Sequence, residues 1–435
     1  MWVSPPEVTP MIIDHYNKVF DLPGVSTGAC ATVIGKIRND GQYIVHNGND
    51  EIVNAPAEDV TEGFLYNRPF EPRDRKFTEP VVPELSDYNQ TLLDILSHEN
   101  MASREPIFEQ YDKQVQGRIH TETGLADSGV MAPFNSENYP KEIRNIGIAL
   151  STDHNPRYGL IDPYWGGVNA VVEAMRNVAA VGATPHAITD CLCFGNPEKP
   201  HQMWEFVESV RGVADACRAI TLKDNPDDAT PIIAGNVSFY NESKTGAIPP
   251  SPIVSCLGRI KDVNKTVPMH FQQTDSVILM IGERKDELGG SMYYNLYGEL
   301  GAHVPQPDLE EVKKQIFALT DCIDDGIVFS CHDIADGGVV SAIAEMTFGN
   351  GIGCDVNINS DLPNDKILFS ETGGFILEVS MGNMHFVQRL FSDRSIPVYD
   401  IGVTTPKQFL KMNELIMLPI SKTRDAWKNG LREKL

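Results

Sequence analysis

One long helix is predicted near the middle of the chain. Asp162 and Pro163 are typical of the cap and the first residue of a helix, and Gly182 of the residue after its end. Between them, apolar residues recur three or four positions apart, which places them on one helical face: Val168, Val171, Val172, Met175, Val178 and Ala179. The pattern predicts a helix with one buried face.

Shorter apolar runs on both sides of this helix alternate between strand and helix patterns. Strands are predicted at residues 146–150, 185–189, 231–234 (short and buried), 254–260, 276–281, 326–331, 353–358, 374–379 and 398–403. Helices are predicted at residues 201–220, 310–323, 338–347 and 384–391, and in parts of 84–110. This alternation predicts an α+β or α/β fold.

The first 72 residues predict the end of a domain. A helix at 5–20 is followed by strands at 31–37 and 42–46, joined by Asn39-Asp40-Gly41, a strong hairpin signal. The order helix, strand, strand at 11–20, 33–37 and 49–53 recurs at 384–391, 400–404 and 412–416, where more than a hundred residues of one domain precede it. We therefore expect the chain to start inside a domain, and chance similarity of short segments is the alternative.

Composition limits the classes of function. A net charge of −24 argues against general binding to nucleic acids or anionic membranes, although an acidic protein can still hold phosphates through backbone N–H groups and Mg²⁺. No apolar run approaches the roughly 18 residues that a membrane span needs. Residues 1–6 do not resemble a secretory signal, and the eight cysteines are scattered rather than clustered. We expect a cytoplasmic protein with reduced thiols.

Polar residues follow two of the predicted strands. Asp190 comes after the strand at 185–189, at the kind of position where ligands gather in open α/β sheets, and its carboxylate could hold Mg²⁺ or a ribose hydroxyl. Gly235 permits close backbone approach, while Asn236 and Ser238 offer an amide oxygen and a hydroxyl on one side of an extended segment. An Asx-turn at Asp190 and a polar turn at 235–242 are the structural alternatives.

The segment 331–338 closes a strand and opens a helix, and it contains Asp333 and Asp336. An acid beside helix N-terminal amides makes a Mg²⁺–phosphate site plausible, and N-capping by Asp336 is the alternative. The segment 369–375 could line the same crevice, or it is an ordinary glycine turn. Cys191 and Cys193 lack the spacing of a redox pair, and no second cysteine cluster completes a zinc site. The sequence has no Walker A motif, dinucleotide fingerprint, Ser–His–Asp set or glutaminase cysteine signature.

Six motifs together resemble the synthetase subunit of phosphoribosylformylglycinamidine synthase, also called formylglycinamide ribonucleotide amidotransferase. They lie at residues 147–158, 176–185, 189–200, 235–242, 332–338 and 370–373, and the resemblance covers most of 99–403. Residues 189–200, which read TDCLCFGNPEKP, are highly specific together with residues 235–242, GNVSFYNE.

The resemblance implies a domain plan. A synthetase of this family has two tandem halves, each an aminoimidazole-ribonucleotide-synthetase-like N-terminal-type domain followed by a C-terminal-type domain. This chain matches the second half, preceded by the tail of a first C-terminal-type domain at 1–72 and a linker at 73–98. The N-terminal-type domain would then cover 99–262 and the C-terminal-type domain 263–435.

The resemblance also implies roles for residues. Asp190 and Gly235 would contact ATP, Asn236 would bind Mg²⁺ and Ser238 would contact substrate, while Asp333 is a further candidate metal ligand. The family's catalytic His and nucleotide-binding Lys lie in the first half, so no catalytic residue is expected in this chain. Implied partners are the first half, a glutaminase subunit and a small bridging subunit, with formylglycinamide ribonucleotide as substrate and ATP or ADP and Mg²⁺ as cofactors.

The sequence departs from the family pattern at several positions. His154 and Cys193 stand where Cys and Asn are expected, Thr372 replaces a Gln, and 221–230 looks like an extra loop. A non-catalytic, nucleotide-holding subunit, in which Asp190 and Asp333 help retain ATP or ADP, is therefore a second hypothesis. Another ATP-using relative, such as a selenophosphate or thiamine-phosphate type enzyme, is a third hypothesis. The run Asn196-Pro197-Glu198-Lys199-Pro200 argues against it.

Overall fold

The computed structural model describes residues 1–83 and 85–435 and divides into two compact units, residues 1–67 and 68–435. Residue 84, at the start of the predicted helical stretch 84–110, lies outside the described residues. Further along that stretch, the structure has helices at Tyr88–Ser97 and Glu105–Phe108, as predicted. Every helix of the described residues is too short or too polar to span a lipid bilayer.

The unit of residues 1–67 has no buried residue. Its helix Thr9–Asp14 continues through a wider turn at His15–Val19, as the pattern at 5–20 predicts, and short helices follow at Leu22–Val25 and Ala57–Glu62. The predicted strand at 31–37 is wrong, because that segment is irregular. The hairpin instead pairs Gln42–Asn47 with Asp50–Pro56, since Gly48, with φ of 60°, adopts the left-handed conformation of a tight turn.

The first large sheet of residues 68–435 has six strands. In spatial order they are Ile119–Thr121, Gly129–Met131, Gly147–Asp153, Ser251–Ile260, Thr184–Cys193 and Ile232–Ser238. All neighbours are antiparallel except the last pair, which is parallel. Helices cover one face: Pro156–Ile161, Pro163–Ala180 and Pro200–Ala219. Asp162 caps the long helix by accepting from the Tyr164 and Trp165 N–H groups, as predicted.

Two strand predictions in this sheet are wrong. The strand predicted at 185–189 continues to Cys193, so Asp190 lies inside a strand rather than in a loop. The strand at 231–234 is not buried, since the observed strand Ile232–Ser238 is an exposed edge and Ile233 is 62% exposed. The predicted extra loop at 221–230 contains a small hairpin of Thr221–Leu222 and Asn225–Ala229, and Glu242–Ser243 with Gly246–Ala247 form another.

The second large sheet has seven strands. In spatial order they are Val328–Ile334, Gly374–Val379, Val277–Ile281, Val398–Thr405, Gly353–Val356, Phe409–Met412 and Ile416–Pro419. The helices of this part are Met292–Leu296, Leu309–Asp324, Gly338–Met346, Asn364–Phe369, Met384–Ser392 and Ile420–Asn429. Short 3₁₀ turns lie at Val115–Gly117, Lys141–Ile143, Val263–Lys265 and Arg432–Lys434. The strands predicted at 276–281, 326–331, 353–358, 374–379 and 398–403 and the helices predicted at 310–323, 338–347 and 384–391 are confirmed to within a few residues. The strand predicted at 412–416, the third element of the repeat, is wrong, because residues 413–415 form the turn that joins Phe409–Met412 to Ile416–Pro419.

The seven-stranded sheet is buried on both faces. Along Val277–Ile281, alternate side chains enter two different apolar clusters. Val277 and Leu279 pack with the helices Pro163–Ala180 and Leu309–Asp324, whereas Ile278 and Met280 pack with Tyr88–Ser97 and Gly338–Met346. The continuous apolar run in the sequence reflects this double burial.

Within residues 1–83 and 85–435, no helix packs on one face of the six-stranded sheet. It is formed by alternate residues of the central strands, with Leu150 at 55% exposure and a Thr152–Ser255 hydroxyl pair 2.7 Å apart. Ile148, Ile253 and Leu257 are half-buried on the same face. We call this surface the open face, and its mixture of apolar and polar groups is unusual for water-facing sheet.

Candidate functional site

Two aspartates and a glycine, Asp153, Asp190 and Gly235, lie in a row across the six-stranded sheet. Asp153 and Asp190 are both in register with Val254 of the strand between them, and Asp190 is in register with Gly235. Two strand spacings put the Cα atoms of Asp153 and Asp190 about 10 Å apart. The row lies on the helix-covered face, because Val254 points into the core.

The carboxylate of Asp190 packs directly against Gly235. A Cβ atom at Gly235 would lie 2.5 Å from Asp190 Oδ1, closer than real Cβ contacts, so any larger residue here would force the Asp190 carboxylate to shift. The same carboxylate accepts the Asn236 N–H, and its burial raises the pKa of Asp190. Asp190 therefore joins two neighbouring strands, and its free acceptor positions remain available to a ligand.

Gly235→Ala should destabilise the chain by about 1–3 kcal/mol, because the new methyl group pushes the Asp190 carboxylate off the strand. The matched control is Gly129→Ala, in a strand of the same sheet where an added Cβ meets nothing within 4 Å. Urea unfolding measures both variants. Equal stability of the two would show that Asp190 moves freely and that the contact has no structural role.

Asn236 and Ser238 lie on the opposite, open face of the sheet. Their strand neighbours in register are Cys191 and Cys193, and Asn236 Nδ2 is 3.8 Å from Cys191 Sγ. Ser238 Oγ accepts from Asn241 Nδ2 at 3.1 Å. The four residues that the resemblance assigned to one site thus divide over two faces of one sheet edge, with only the backbone between them.

The loop after Cys193 is held by its own hydrogen bonds. The Asn196 side chain accepts the Glu198 N–H at 2.9 Å, and the Asn196 N–H donates to Gln202 Oε1. Lys199 Nζ lies 2.6 Å from Glu242 Oε2, which ties this loop to the segment after Ser238. The two most specific motifs of the sequence therefore form one continuous surface.

Asp333 belongs to a second group of polar residues, buried where the two large sheets meet. The Asp333 N–H donates to Asp127 Oδ2 at 2.8 Å, and His332 Nδ1 lies 3.0 Å from Asp127 Oδ1. Ligand atoms of Asp127, His332 and Asp333 all lie within 4.8 Å of one another. Among the described residues, Asp127 Oδ1 and Asp333 Oδ2 are buried without a hydrogen-bond partner. Such oxygens suit a hard cation.

Polar side chains of the long helix and of the strand Gly147–Asp153 surround this group. Arg176 Nε is 3.7 Å from Asp333 Oδ2, and Asn177 Nδ2 donates to Asp153 Oδ2 at 2.6 Å. Burial raises the pKa of Glu173 well above its usual range, and Asp153 adds to the effect. We call Asp127, Asp153, Glu173, Asp333 and Asp336 the acidic cluster.

The ionisation of the acidic cluster departs from that of exposed carboxyls. Burial, and then Asp333, raises the pKa of Asp153 to about 7. Burial also raises the pKa of Asp336 to about 6. For His332, burial lowers the pKa, but the Asp127 carboxylate outweighs it and the pKa lies well above the usual range. The cluster therefore keeps protons to higher pH than exposed carboxyls do.

A cavity of about 180 Å³ adjoins the cluster. Its lining includes His332, Asp333, Asp336 and Glu345, with Asn100 and Met101 on the opposite side. The segment 369–375 contacts the same region, because Glu371 accepts the Gly337 N–H at 2.8 Å. Asp336 does not cap the following helix, whose cap is Gly337, and instead accepts from Asn155.

Sequence reasoning missed Asp127, Asp153, Glu173 and Asn177. One signal was available for two of them: Glu173, Arg176 and Asn177 form a polar stripe at helical spacing within an otherwise apolar helix. Asp127 had no such signal, because it lies outside a recognisable motif and approaches Asp333 only in the folded chain.

Comparison with known proteins gives the family. Residues 128–260 match the N-terminal domain of AIR synthase related proteins, and residues 273–413 match the C-terminal domain. The two matched regions together cover more than half of the chain and contain most of the two large sheets. The chain therefore contains an N-terminal and a C-terminal domain of the AIR synthase related type.

Individual relatives within this family carry one name. A protein of Methanothrix thermoacetophila named phosphoribosylformylglycinamidine synthase subunit PurL is 43% identical over 439 residues, which cover 100% of this chain and 56% of the relative. The protein of the same name from Alkaliphilus metalliredigens is 33% identical, covering 93% of this chain and 54% of its own length. This chain thus spans about half the length of these curated relatives.

Solved structures agree with the family in fold. The T. maritima PurL complexed with FGAR superposes with a TM-score of 0.61 at 18% identity, covering 78% of this chain and 53% of that chain. PurLQS from Thermotoga maritima gives a TM-score of 0.58 at 18% identity, over 78% of this chain and 52% of that chain. The predicted fold class, a synthetase N-terminal-type domain followed by a C-terminal-type domain, is confirmed.

Proposed function

We propose that this chain is a component of a phosphoribosylformylglycinamidine synthase, an ATP-dependent C–N ligase of de novo purine biosynthesis in the cytoplasm. The complete enzyme converts formylglycinamide ribonucleotide, ATP and glutamine-derived ammonia to formylglycinamidine ribonucleotide, ADP and phosphate. The observation that carries the proposal is 43% identity along the whole chain to a protein of that name. Turnover by this chain together with a separately produced first half tests it directly.

The chain corresponds in this proposal to the second half of the synthetase. Residues 1–72 are the tail of a first C-terminal-type domain, 73–98 a linker, 99–262 the N-terminal-type domain and 263–435 the C-terminal-type domain. Two observations support an incomplete assembly: residues 1–67 bury no side chain, and the open face leaves Leu150 in water. The first half would cover the open face, and a glutaminase subunit and a small bridging subunit complete the enzyme.

The neighbouring strands Thr184–Cys193 and Ile232–Ser238 supply residues of the proposed active site from both faces of the sheet edge. Asp190 and Gly235 contact ATP, Asn236 holds Mg²⁺ and Ser238 contacts the substrate. The exposed amide of Asn236 fits a hard cation, because an amide oxygen is an acceptable Mg²⁺ ligand and its side chain faces open surface. Mg²⁺ bound there would neutralise phosphate charge.

The chemistry follows from the substrates. The γ-phosphoryl group of ATP passes to the formamide oxygen, which gives an iminophosphate and ADP. Ammonia then adds to the activated carbon and phosphate leaves, so that one C–N bond replaces one C–O bond. The residues of this chain bind and orient the reactants, and this positioning accounts for most of the catalysis in phosphoryl transfer.

The acidic cluster supports a second candidate function, the holding of a nucleotide without turnover. Two buried carboxylate oxygens that accept no hydrogen bond and an adjoining 180 Å³ cavity suit a Mg²⁺–phosphate group. Asp333 and Asp127 would hold the ion in this proposal. A nucleotide bound there would stabilise the fold whether or not the sheet edge takes part in catalysis.

Mg-ATP or Mg-ADP should bind the chain with measurable heat, and Asp190→Asn should weaken the metal-dependent binding about tenfold. The variant should keep the fold, since an amide oxygen can still accept the Asn236 N–H. Calorimetry and thermal unfolding measure both effects. The exposed Asp361→Asn is the matched control.

Two results would contradict this prediction. Absence of heat and of a thermal shift at millimolar nucleotide would exclude a nucleotide site in this chain. Unfolding of Asp190→Asn would show that Asp190 serves the structure alone.

A further inference from the structure

Cys191 and Cys193 present two thiols on the open face of the six-stranded sheet. Residues two apart in a strand point to the same side, and the two Sγ atoms are 3.8 Å apart. Both side chains are half-buried, whereas five of the other six cysteines are fully buried and Cys30 is exposed. The second thiol departs from the family pattern, because the resemblance leads one to expect Asn at position 193.

A disulfide does not suit this geometry. Cα atoms two apart in a strand are about 6.6 Å apart, near the upper limit of about 6.8 Å for a disulfide. The two sulfur atoms would also have to approach to about 2.05 Å. Because both cysteines are paired with neighbouring strands at every step, the backbone cannot shorten locally to allow this.

A tetrahedral metal ion does suit it. Two sulfur atoms each about 2.3 Å from a tetrahedral zinc ion lie about 3.8 Å apart. The observed Sγ–Sγ distance of 3.8 Å therefore matches one edge of such a coordination sphere without movement of the backbone. The sequence has no second cysteine cluster, so the remaining ligands must be oxygen atoms.

Asn236 offers one of these oxygen atoms. It is in register with Cys191, and its amide end lies 3.8 Å from Cys191 Sγ. The two ends of an amide are interchangeable by rotation, so the oxygen can take the place of the nitrogen. Water can complete the sphere, because this part of the face is accessible to solvent.

We propose that Cys191 and Cys193 bind a thiophilic divalent cation of the zinc class, with the Asn236 amide oxygen as third ligand and water as fourth. Binding forms two metal–thiolate bonds and releases the two thiol protons to solvent, with no change in oxidation state.

A metal ion on the two thiolates would also affect Mg²⁺ binding at the sheet edge, and this consequence rests on the proposed function. Asn236 is the residue proposed to hold Mg²⁺ at the sheet edge. A zinc-class ion on the two thiolates would take the same amide oxygen, so the two ions should exclude each other. Zinc would then inhibit Mg²⁺-dependent nucleotide binding at this edge.

Titration with Cd²⁺ tests the site, because thiolate-to-cadmium charge transfer gives an ultraviolet absorption band and Zn²⁺ should abolish that band by displacement. The full chain with Cys30→Ser is the starting protein, so that the exposed thiol of the other unit does not contribute. We expect one Cd²⁺ per chain. Cys191→Ser and Cys193→Asn should each weaken binding at least tenfold, and Asn236→Ala by a smaller factor.

Absence of the band, or a band of unchanged strength in the Cys191→Ser/Cys193→Ser double variant, would overturn the proposal. Affinity within twofold of the starting protein in either single variant would also overturn it, since a chelate needs both thiolates. Thermal unfolding of each variant shows that it is folded. If the chain binds Cd²⁺ but no nucleotide, the metal site is supported and the proposed function is contradicted. The experiment therefore distinguishes failure of one proposal from failure of the other.

Discussion

The chain alone should form no formylglycinamidine ribonucleotide from formylglycinamide ribonucleotide, ATP and ammonia, and a separately produced first half should bring turnover. The family resemblance places the catalytic His and the nucleotide Lys in that first half. The residues proposed here, Asp190, Gly235, Asn236 and Ser238, lie on the two faces of one sheet edge. A sheet edge cannot surround a phosphoryl group or exclude water from an iminophosphate.

The open face provides a control for this experiment. Leu150→Asp should block reconstitution, because it places a charge in the middle of the surface that the first half would cover. It should cost little stability in the isolated chain, where Leu150 is 55% exposed. Met417→Asp, at 62% exposure in the other sheet, is the matched substitution and should leave reconstitution intact. Robust turnover by the pure 435-residue chain would refute the assignment.

Mg²⁺ should stabilise the chain more at pH 8 than at pH 6. The folded-state pKa of Asp153 is raised to about 7 and that of Asp336 to about 6, above the usual range near 4. Between about pH 4 and these values, the folded chain holds protons that the unfolded chain has lost, so stability without metal falls as pH rises. Mg²⁺ needs the ionised carboxylates, and its apparent affinity therefore rises over the same range.

The expected gain at pH 8 is about 2.7 kcal/mol when Mg²⁺ is at a hundredfold excess over its Kd. Asp127→Asn and Asp333→Asn should abolish most of it, because each removes a buried oxygen that lacks a hydrogen-bond partner. Asp361→Asn, which is exposed, should keep the full gain. Thermal unfolding with Mg²⁺ or with EDTA measures the difference. The same Mg²⁺ stabilisation at pH 6 and pH 8, or the full stabilisation in both Asp127→Asn and Asp333→Asn, would show that Mg²⁺ does not bind at the acidic cluster.

His332 adds to the same dependence on pH. Its pKa is held well above the usual range by Asp127, so an imidazolium occupies the position beside that carboxylate without metal. A cation bound to Asp127 must displace this proton or move the ring. Proton release on Mg²⁺ binding, measured by calorimetry in two buffers of different ionisation enthalpy, should be larger at pH 6 than at pH 8, because the pKa of Asp153 is raised to about 7 and that of Asp336 to about 6.

Periodicity predicted the interior of the fold well and its edges poorly. The strands Gly374–Val379 and Val277–Ile281 were recognisable because both faces of their sheet are buried, which leaves an unbroken apolar run. The strand Ile232–Ser238 was found but was predicted to be buried, since its apolar start looks the same at an edge as in the centre. The strand predicted at 31–37 was wrong because the sequence offers two possible hairpin turns, one at 39–41 and one around Gly48. A local turn signal does not show which of them joins two paired strands, and the structure uses the second.

The sequence by itself determined the order of helices and strands, the caps at Asp162 and Gly182, and the two motifs that define the sheet edge. These are local properties, encoded by spacing and turn chemistry within a few residues. Tertiary structure alone decided that Asp190 and Asn236 lie on opposite faces of the sheet. Asp190 is in register with Gly235, and the next residue, Asn236, points to the other face because successive side chains of a strand alternate. It also decided that Asp127 meets Asp333, because contact between residues more than 200 positions apart depends on how two sheets pack.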